Sequence, residues 1–280
     1  MRPALQARIA RYRNGAFAEK ADDLAAEEPL EIRIEGQSVA VLMRTPGHDR
    51  ELAAGFLLTE NIVRSAGDIF EIAVCGENAA GSDETNVVNV TLKNPAHFDA
   101  KKFSRNLFSS SSCGICGKSS IGAIAKQFGP INSELRISAS LLLELPARLS
   151  AAQKTFQLTG GLHACALFEK DGALGVVRED VGRHNALDKL IGHALFENRL
   201  PLDRQILLLS GRVSFEMVQK ALAAGVAIIV AISAPTSLAV EFARTNNQTL
   251  VGFLRGNEMN VYAGAERILP VGRDGSVAPT

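Results

Sequence analysis

The chain has 280 residues, 46% of them apolar and 21% charged, proportions that suit one large or two small globular domains and exclude a disordered or fibrous chain. Thirty Lys and Arg balance thirty Asp and Glu, so bulk attraction to nucleic acid or to a membrane surface is excluded and any charge argument must be local. Thirteen Phe, two Tyr and no Trp leave little for base stacking, the apolar run 223–232 is about half of the ~20 residues a spanning helix needs, and four cysteines do not make a disulfide scaffold, which places the chain in a reducing cytoplasm.

In chain order, the first seventeen residues are basic, with Arg2, Arg8, Arg11 and Arg13. They lack the continuous apolar stretch of a secretory signal. They read as a frayed surface segment, with an organelle transit peptide as the alternative. Residues 27–98 read as short strands with one helix. Apolar and polar residues alternate around Gly36 as in a hairpin. A helix follows Pro46 and Gly47, with Asp49 suited to cap it. Strand patterns at 69–75 and 85–92 flank a loop containing Gly76, Gly81 and Ser82.

Residues 99–133 differ. A serine run at 109–112 precedes two cysteines among glycines, and a short helical pattern ends near Gly129. No acidic residue occurs from 100 to 133, whereas Lys101, Lys102, Arg105, Lys118 and Lys126 do. Low-complexity composition predicts a mobile loop, here basic and carrying a dithiol. Residues 134–265 alternate helix and strand: a helix over 138–152 that Pro146 kinks or divides, two strands joined at Asp171 and Gly172, then helices near 185–200, 214–225 and 236–247 between apolar strands at 204–211, 226–233 and 248–257. Uninterrupted Val/Ile/Leu strands between helices predict a parallel or mixed sheet covered on both faces.

Cys113-Gly114-Ile115-Cys116-Gly117 is the strongest local motif. Its spacing serves four chemistries. A structural zinc site needs four ligands, and only Cys75, Cys165 and five scattered His remain to complete one. A redox dithiol needs a strand before it where this chain has serines. An iron–sulfur cluster needs more thiolates. A nucleophilic or sulfur-carrying thiol needs a thiolate, which Arg105, Lys118 and a following helix start favour. Two incidental thiols are the bland alternative. Three turns form the second feature: one around Arg183, His184 and Asn185, one around Ser210, Arg212 and Ser214, and one around Ser233 and Thr236. At the carboxyl ends of strands such turns line a ligand crevice, and Arg183, Arg212 and Arg255 suit an anion there. As ordinary structure, Asn185, Ser214 and Thr236 are helix caps. His184 suits an acid, a base or a phosphate donor; Glu179 and Asp180 suit a base or a partner for Arg183. His163 and Cys165 read as a capped His and a packed Cys sooner than as metal ligands. No P-loop, GxGxxG or HExxH occurs.

The stretches SSSSCGICGKSSI, TGGLHACALF, REDVGRHNALDKLIG, LSGRVSFEMVQKA, ISAPTSLAV and LVGFLRGNEMNVY, spread from Thr45 to Tyr262, resemble the FdhD/NarQ family, the formate dehydrogenase accessory sulfurtransferases. The resemblance implies an α/β fold, α+β overall. A smaller N-terminal α+β subdomain, 1–133, ends in the mobile CxxC loop at about 104–118. A cytidine-deaminase-like three-layer α/β/α domain follows at 134–280, without the HxE and PCxxC zinc set of deaminases. It implies a sulfurtransferase with a cysteine persulfide intermediate at Cys113, and Cys116 as second thiol. It also implies Phe253, Leu254, Arg255, Gly256, Asn257 and Glu258 at the bis(molybdopterin guanine dinucleotide) molybdenum cofactor, with GDP a fitting occupant of the same place. The implied partners are a cysteine desulfurase, a formate dehydrogenase and a second copy of the chain as a homodimer. No resident metal, nucleic acid or membrane is implied. The alternative function is a non-enzymatic chaperone for the guanine dinucleotide cofactor.

Overall fold

A computed structural model describes residues 2–75, 86–95, 98 and 128–270. The basic N-terminus is not frayed. β1 (Ala4–Arg13) and β2 (Ala16–Ala25) form a long antiparallel ribbon. Asn14 and Gly15 both take positive φ, as a two-residue hairpin turn requires. Tyr12 and Phe17 face each other across its tip with ring centroids 5.0 Å apart, and both are exposed.

The next stretch follows the sequence pattern. β3 (Glu28–Ile34) and β4 (Gln37–Arg44) turn at Glu35 and Gly36, again at positive φ. α1 (Asp49–Thr59) follows, then β5 (Ile69–Cys75) and β6 (Val87–Leu92). The four strands make one sheet in the order β4-β3-β6-β5. Asp49 does not cap α1: His48 holds that position at φ 59°, and the Asp49 carboxylate instead pairs with the buried Arg44 guanidinium at 2.9 Å.

The second half is a six-stranded sheet with helices. β7 (Ile137–Ser138) leads into α2 (Ala139–Ala152), which Ser138 caps and Pro146 does not divide. α3 (Lys154–Thr159), β8 (His163–Phe168), β9 (Leu174–Asp180) and α4 (Arg183–Phe196) follow. β10 (Ile206–Leu209), α5 (Phe215–Ala223), β11 (Ile228–Ala231), α6 (Ser237–Thr245), β12 (Thr249–Arg255), β13 (Glu258–Ala263) and β14 (Ile268–Leu269) complete the described elements. The sheet order is β13-β12-β11-β10-β8-β9. β10, β11 and β12 are parallel, whereas β8 runs antiparallel to both of its neighbours. The sheet is therefore mixed. β10 and β11 are buried along their whole length, as strands covered on both faces must be. α4, α5 and α6 lie side by side, and α2 touches both β9 and β12.

The two halves share one continuous apolar core. α1 crosses α4 so closely that a Cβ at Gly55 would stand 1.8 Å from the Asp188 carbonyl oxygen, and one at Gly192 1.9 Å from that of Glu51. Only glycine permits such backbone contact at both positions. Beside the crossing, the fully buried Asp180 carboxylate pairs with Lys189 at 2.7 Å and accepts from Thr45 N, Gly182 N and Asn185 Nδ2. Lys189 also donates to Thr45 O. This junction pins the end of β4 to the start of α4.

Candidate functional site

β9, β10, β11 and β12 present their carboxyl ends at one edge of the six-stranded sheet, and the reversed β8 brings its first residue, His163, to the same edge. α4, α5 and α6 start there, so three helix N-termini and their unpaired N–H groups converge. Hydrogen bonds knit the turns together. Val213 N donates to Ala234 O, Thr236 N to Val213 O, and Phe253 N to Ser233 O. The three turns singled out from sequence thus form one continuous rim from His163 to Arg255.

At one end of the rim Gly211 meets His163: a Cβ at Gly211 would lie 3.0 Å from Nδ1 and 3.9 Å from the Arg183 Cβ. Burial lowers the basicity of His163, and the charges of Arg183, His184 and Arg212 lower it further against the opposing pull of Asp180. Arg183 Nε and Ser214 Oγ are buried and have no hydrogen-bond partner among the described residues. Arg212 is exposed. His184 Nε2 stands 2.9 Å from Glu216 Oε2.

The cap assignments divide. Thr236 caps α6 through Ala239 N. Ser214 occupies the cap position of α5 without making the cap bond. Asn185 is not a cap: it lies inside α4, buried, and its amide donates to Met43 O and Asp180 Oδ1. Asp180 serves the Lys189 junction rather than acid–base chemistry. Glu179 accepts from Thr155 N and Phe156 N at the start of α3. The part that Glu216 plays beside His184 was not legible in the sequence, because only the fold brings α5 against α4.

At the far end, Phe253 to Glu258 span the close of β12, a tight turn and the first residue of β13. Arg255 pairs across the turn with Glu258. Phe253 takes φ 52° at a register shift, a left-handed backbone that costs a bulky residue about 1–2 kcal/mol. The Arg255 guanidinium stacks over its ring, 5.4 Å from the centroid. Arg255, Gly256, Asn257 and Glu258 are exposed and Phe253 half-buried, but Leu254 is wholly in the core. Of the six residues, Leu254 is buried away from any ligand and Gly256 offers only backbone.

Cys113 and Cys116 lie outside the described residues. Their segment is anchored on described ground. Before it, Phe98 lines a cleft of about 470 Å³ with Asn61, Val63 and Leu92, past the end of α1. After it, Ile131 N donates to Asn246 O and Asn247 Nδ2 donates to Ile131 O, at the end of α6. The second anchor therefore sits at the end of a helix, α6, whose start faces the rim. Cys165 is buried, and burial, with the charges of Asp188 and Asp180, pushes its thiol far above the ordinary range. It is an inert packed cysteine. Among the described residues no three His, Cys, Asp or Glu side chains gather as a metal site, and no helix is long and apolar enough to cross a membrane.

Comparison with known proteins agrees with this layout. The solved structure of a formate dehydrogenase accessory protein from Desulfotalea psychrophila superposes with a TM-score of 0.76 over 96% of this chain and 100% of that one, at 24% identity, and so shares the fold. The sulfur carrier protein FdhD of Streptomyces coelicolor is 50% identical over 265 residues, 93% of this chain and 94% of its own. Its counterpart in Sulfolobus acidocaldarius is 42% identical over 93% and 97%. A family model described as the FdhD/NarQ family matches residues 25–269, from the close of the ribbon through both anchors and the whole rim to the last strand. With the mixed sheet, the dithiol segment and the rim all inside that span, the chain belongs to the FdhD/NarQ family.

Proposed function

We propose that this protein is a sulfur carrier for formate dehydrogenase maturation. In this reading Cys113 accepts sulfane sulfur from a pyridoxal-phosphate cysteine desulfurase as a persulfide. It then passes the sulfur to the molybdenum of a bis(molybdopterin guanine dinucleotide) cofactor, which is substrate here. The observation that carries the reading is the family match over 25–269, which contains Cys113 and Cys116, together with close relatives named sulfur carrier proteins.

The chemistry balances on the two loop thiols. The Cys113 thiolate attacks the outer sulfur of the desulfurase persulfide; one S–S bond forms, one breaks, and the donor leaves as thiolate. For delivery, Cys116 attacks Sγ of the Cys113 persulfide. A disulfide closes, the outer sulfur departs as sulfide, and the dithiol has supplied the two electrons. Arg105 and Lys118 near the motif support a thiolate there. Cys165, buried and with a raised pKa, is unsuited to the task. The guanine dinucleotide is read onto Phe253, Arg255, Gly256, Asn257 and Glu258, where an exposed turn sits on the cationic rim; GDP fits the same reading. A cytidine-deaminase-like layering of the six-stranded sheet, a homodimer and a cytoplasmic location belong to this proposal on family resemblance.

The test is intact-protein mass spectrometry after incubation with a cysteine desulfurase, cysteine and pyridoxal phosphate. Wild type should gain a reducible ~32 Da, one sulfur atom, and Cys113→Ala should not. No gain on folded wild type would favour the second reading, a non-enzymatic chaperone for the guanine dinucleotide cofactor. The specific observation behind that reading is the rim itself, where Arg183 and Arg212 make no ion pair among the described residues and need no sulfur chemistry.

A further inference from the structure

We propose that the β1–β2 ribbon is a clasp for a second copy of this chain: two ribbons lie antiparallel, the tip of each on the base of the other. The clasp rests on the homodimer of the reading above and gives it a surface. It involves neither the sulfur chemistry nor the rim, and it stands ahead of the span that the family model matches.

Four observations carry it. First, the ribbon stands by itself. It is a two-stranded sheet of its own, with no further strand on either edge among the described residues. It touches the body at its base, where α3 packs against β2 and a Cβ at Gly161 would stand 3.2 Å from that of Ala25. Every residue from 10 to 21 is exposed, so the outer half projects. A lone ribbon is marginal in water, and an open edge invites another chain. Second, exposed apolar groups occupy both ends. Tyr12 and Phe17 at the tip are 63% and 74% exposed; Leu5 and Leu24, paired at the base, are 56% and 47% exposed, beside Phe156 and Leu158 of α3 at 40% and 66%. Such surface marks an interaction site. Third, the ends differ in charge. The tip half carries Arg11, Arg13 and Lys20 against Glu19, and the base half Asp22 and Asp23 against Arg8. Lys20 and Asp22 approach to 3.9 Å; Arg8, Arg11, Arg13, Glu19 and Asp23 make no ion pair among the described residues. Fourth, each strand has ten residues, about 33 Å of ribbon, so the complementary ends cannot meet within one molecule.

These ends select the occupant. An acidic partner would match the tip alone, and a basic one the base alone. A second copy turned about a two-fold axis matches both at once. Each ribbon then supplies a basic, aromatic tip and an acidic, aliphatic base, and every contact is made twice.

The experiment is analytical ultracentrifugation of the full-length protein at micromolar concentration. It compares wild type with Phe17→Ser, with a tip variant (Arg11→Glu and Arg13→Glu) and with a base variant (Asp22→Lys and Asp23→Lys). The substituted side chains are exposed or half-buried, and circular dichroism checks that each variant folds. Wild type should be a dimer, and each variant alone should weaken it by about tenfold or more, since the charge variants set like charges against each other twice. An equimolar mixture of the tip and base variants should regain the dimer, because each reversed charge again meets its opposite; mixing would not cure a folding fault. A wild-type monomer overturns the clasp and the homodimer together. A wild-type dimer that any one of the three variants leaves as strong overturns the clasp and assigns the homodimer to another surface. Charge variants that come apart alone and stay apart when mixed overturn the tip-to-base arrangement.

Discussion

The Glu51 carboxylate joins three elements at once. It receives Arg178 at 2.5 and 2.7 Å, and His193 Nδ1 and His48 Nδ1 both lie 3.2 Å away. Burial alone would raise its pKa, but the hydrogen bonds and charges of Arg178 and His48 prevail and hold it down from 4.5 to about 2. A carboxylate depressed in the folded state contributes stability that is present above its unfolded value and lost as pH falls from about 4.5 toward 2. Glu51→Gln should therefore unfold more easily than wild type at pH 7 by a few kcal/mol, and the gap should narrow as pH falls below about 4.5 and close near pH 2. Urea denaturation across that range measures it, and a gap that stayed constant with pH would contradict the assignment. At the same scale, Asn185 marks a limit of reading residues singly. Asparagine favours caps, and the sequence shows one before a helix; its burial against Met43 and Asp180 depends on a strand 142 residues away in the chain.

Between elements, two devices fasten α1 to the helical layer. The first is the Gly55–Gly192 crossing. Adding a methyl at Gly192 aims it at the Glu51 backbone, which cannot step aside without separating the helices. Gly192→Ala should cost about 3 kcal/mol or more. Thermal unfolding reads the loss, and an unchanged Tm would mean that the helices slide freely. The second device is a buried charge. Lys220 Nζ on α5 donates to both Asp188 oxygens and to Thr59 Oγ1, joining α5, α4 and α1. Burial would lower the Lys220 pKa, but Asp188 outweighs it and the ammonium is held. Lys220→Met leaves Asp188 buried and unpaired, which should cost about 3–5 kcal/mol. Lys220→Met with Asp188→Leu should recover most of that in denaturant titration; a double variant as weak as the single one would show that the partnership is not what Lys220 supplies.

Across the whole molecule, the alternation of 163–255 was legible because buried strands advertise themselves as runs of Val, Ile and Leu and the intervening helices carry amphipathic spacing. The β8–β9 hairpin, marked by Asp171 and Gly172, also foretold the reversed strand that makes the sheet mixed. The N-terminal ribbon was misread. Its arginines drew attention from the alternation of Leu5, Ala7 and Ile9 and from the Asn14-Gly15 turn. β13, β14 and β7 escaped because they are short or polar and are defined by distant partners. The rim was half legible. Its turns were visible as turns, but their meeting, and the approach of Gly211 to His163, exist only once the sheet is assembled.

That reversed strand divides the rim into two kinds of part. Arg183, Arg212 and Arg255 stand on turns or at strand ends, where insertions and deletions are tolerated with little disturbance to the core. His163 opens a strand whose next five residues are buried. A chain diverging toward a larger or smaller ligand can lengthen or trim the turns, while the imidazole stays as a fixed post against which each new outline is measured.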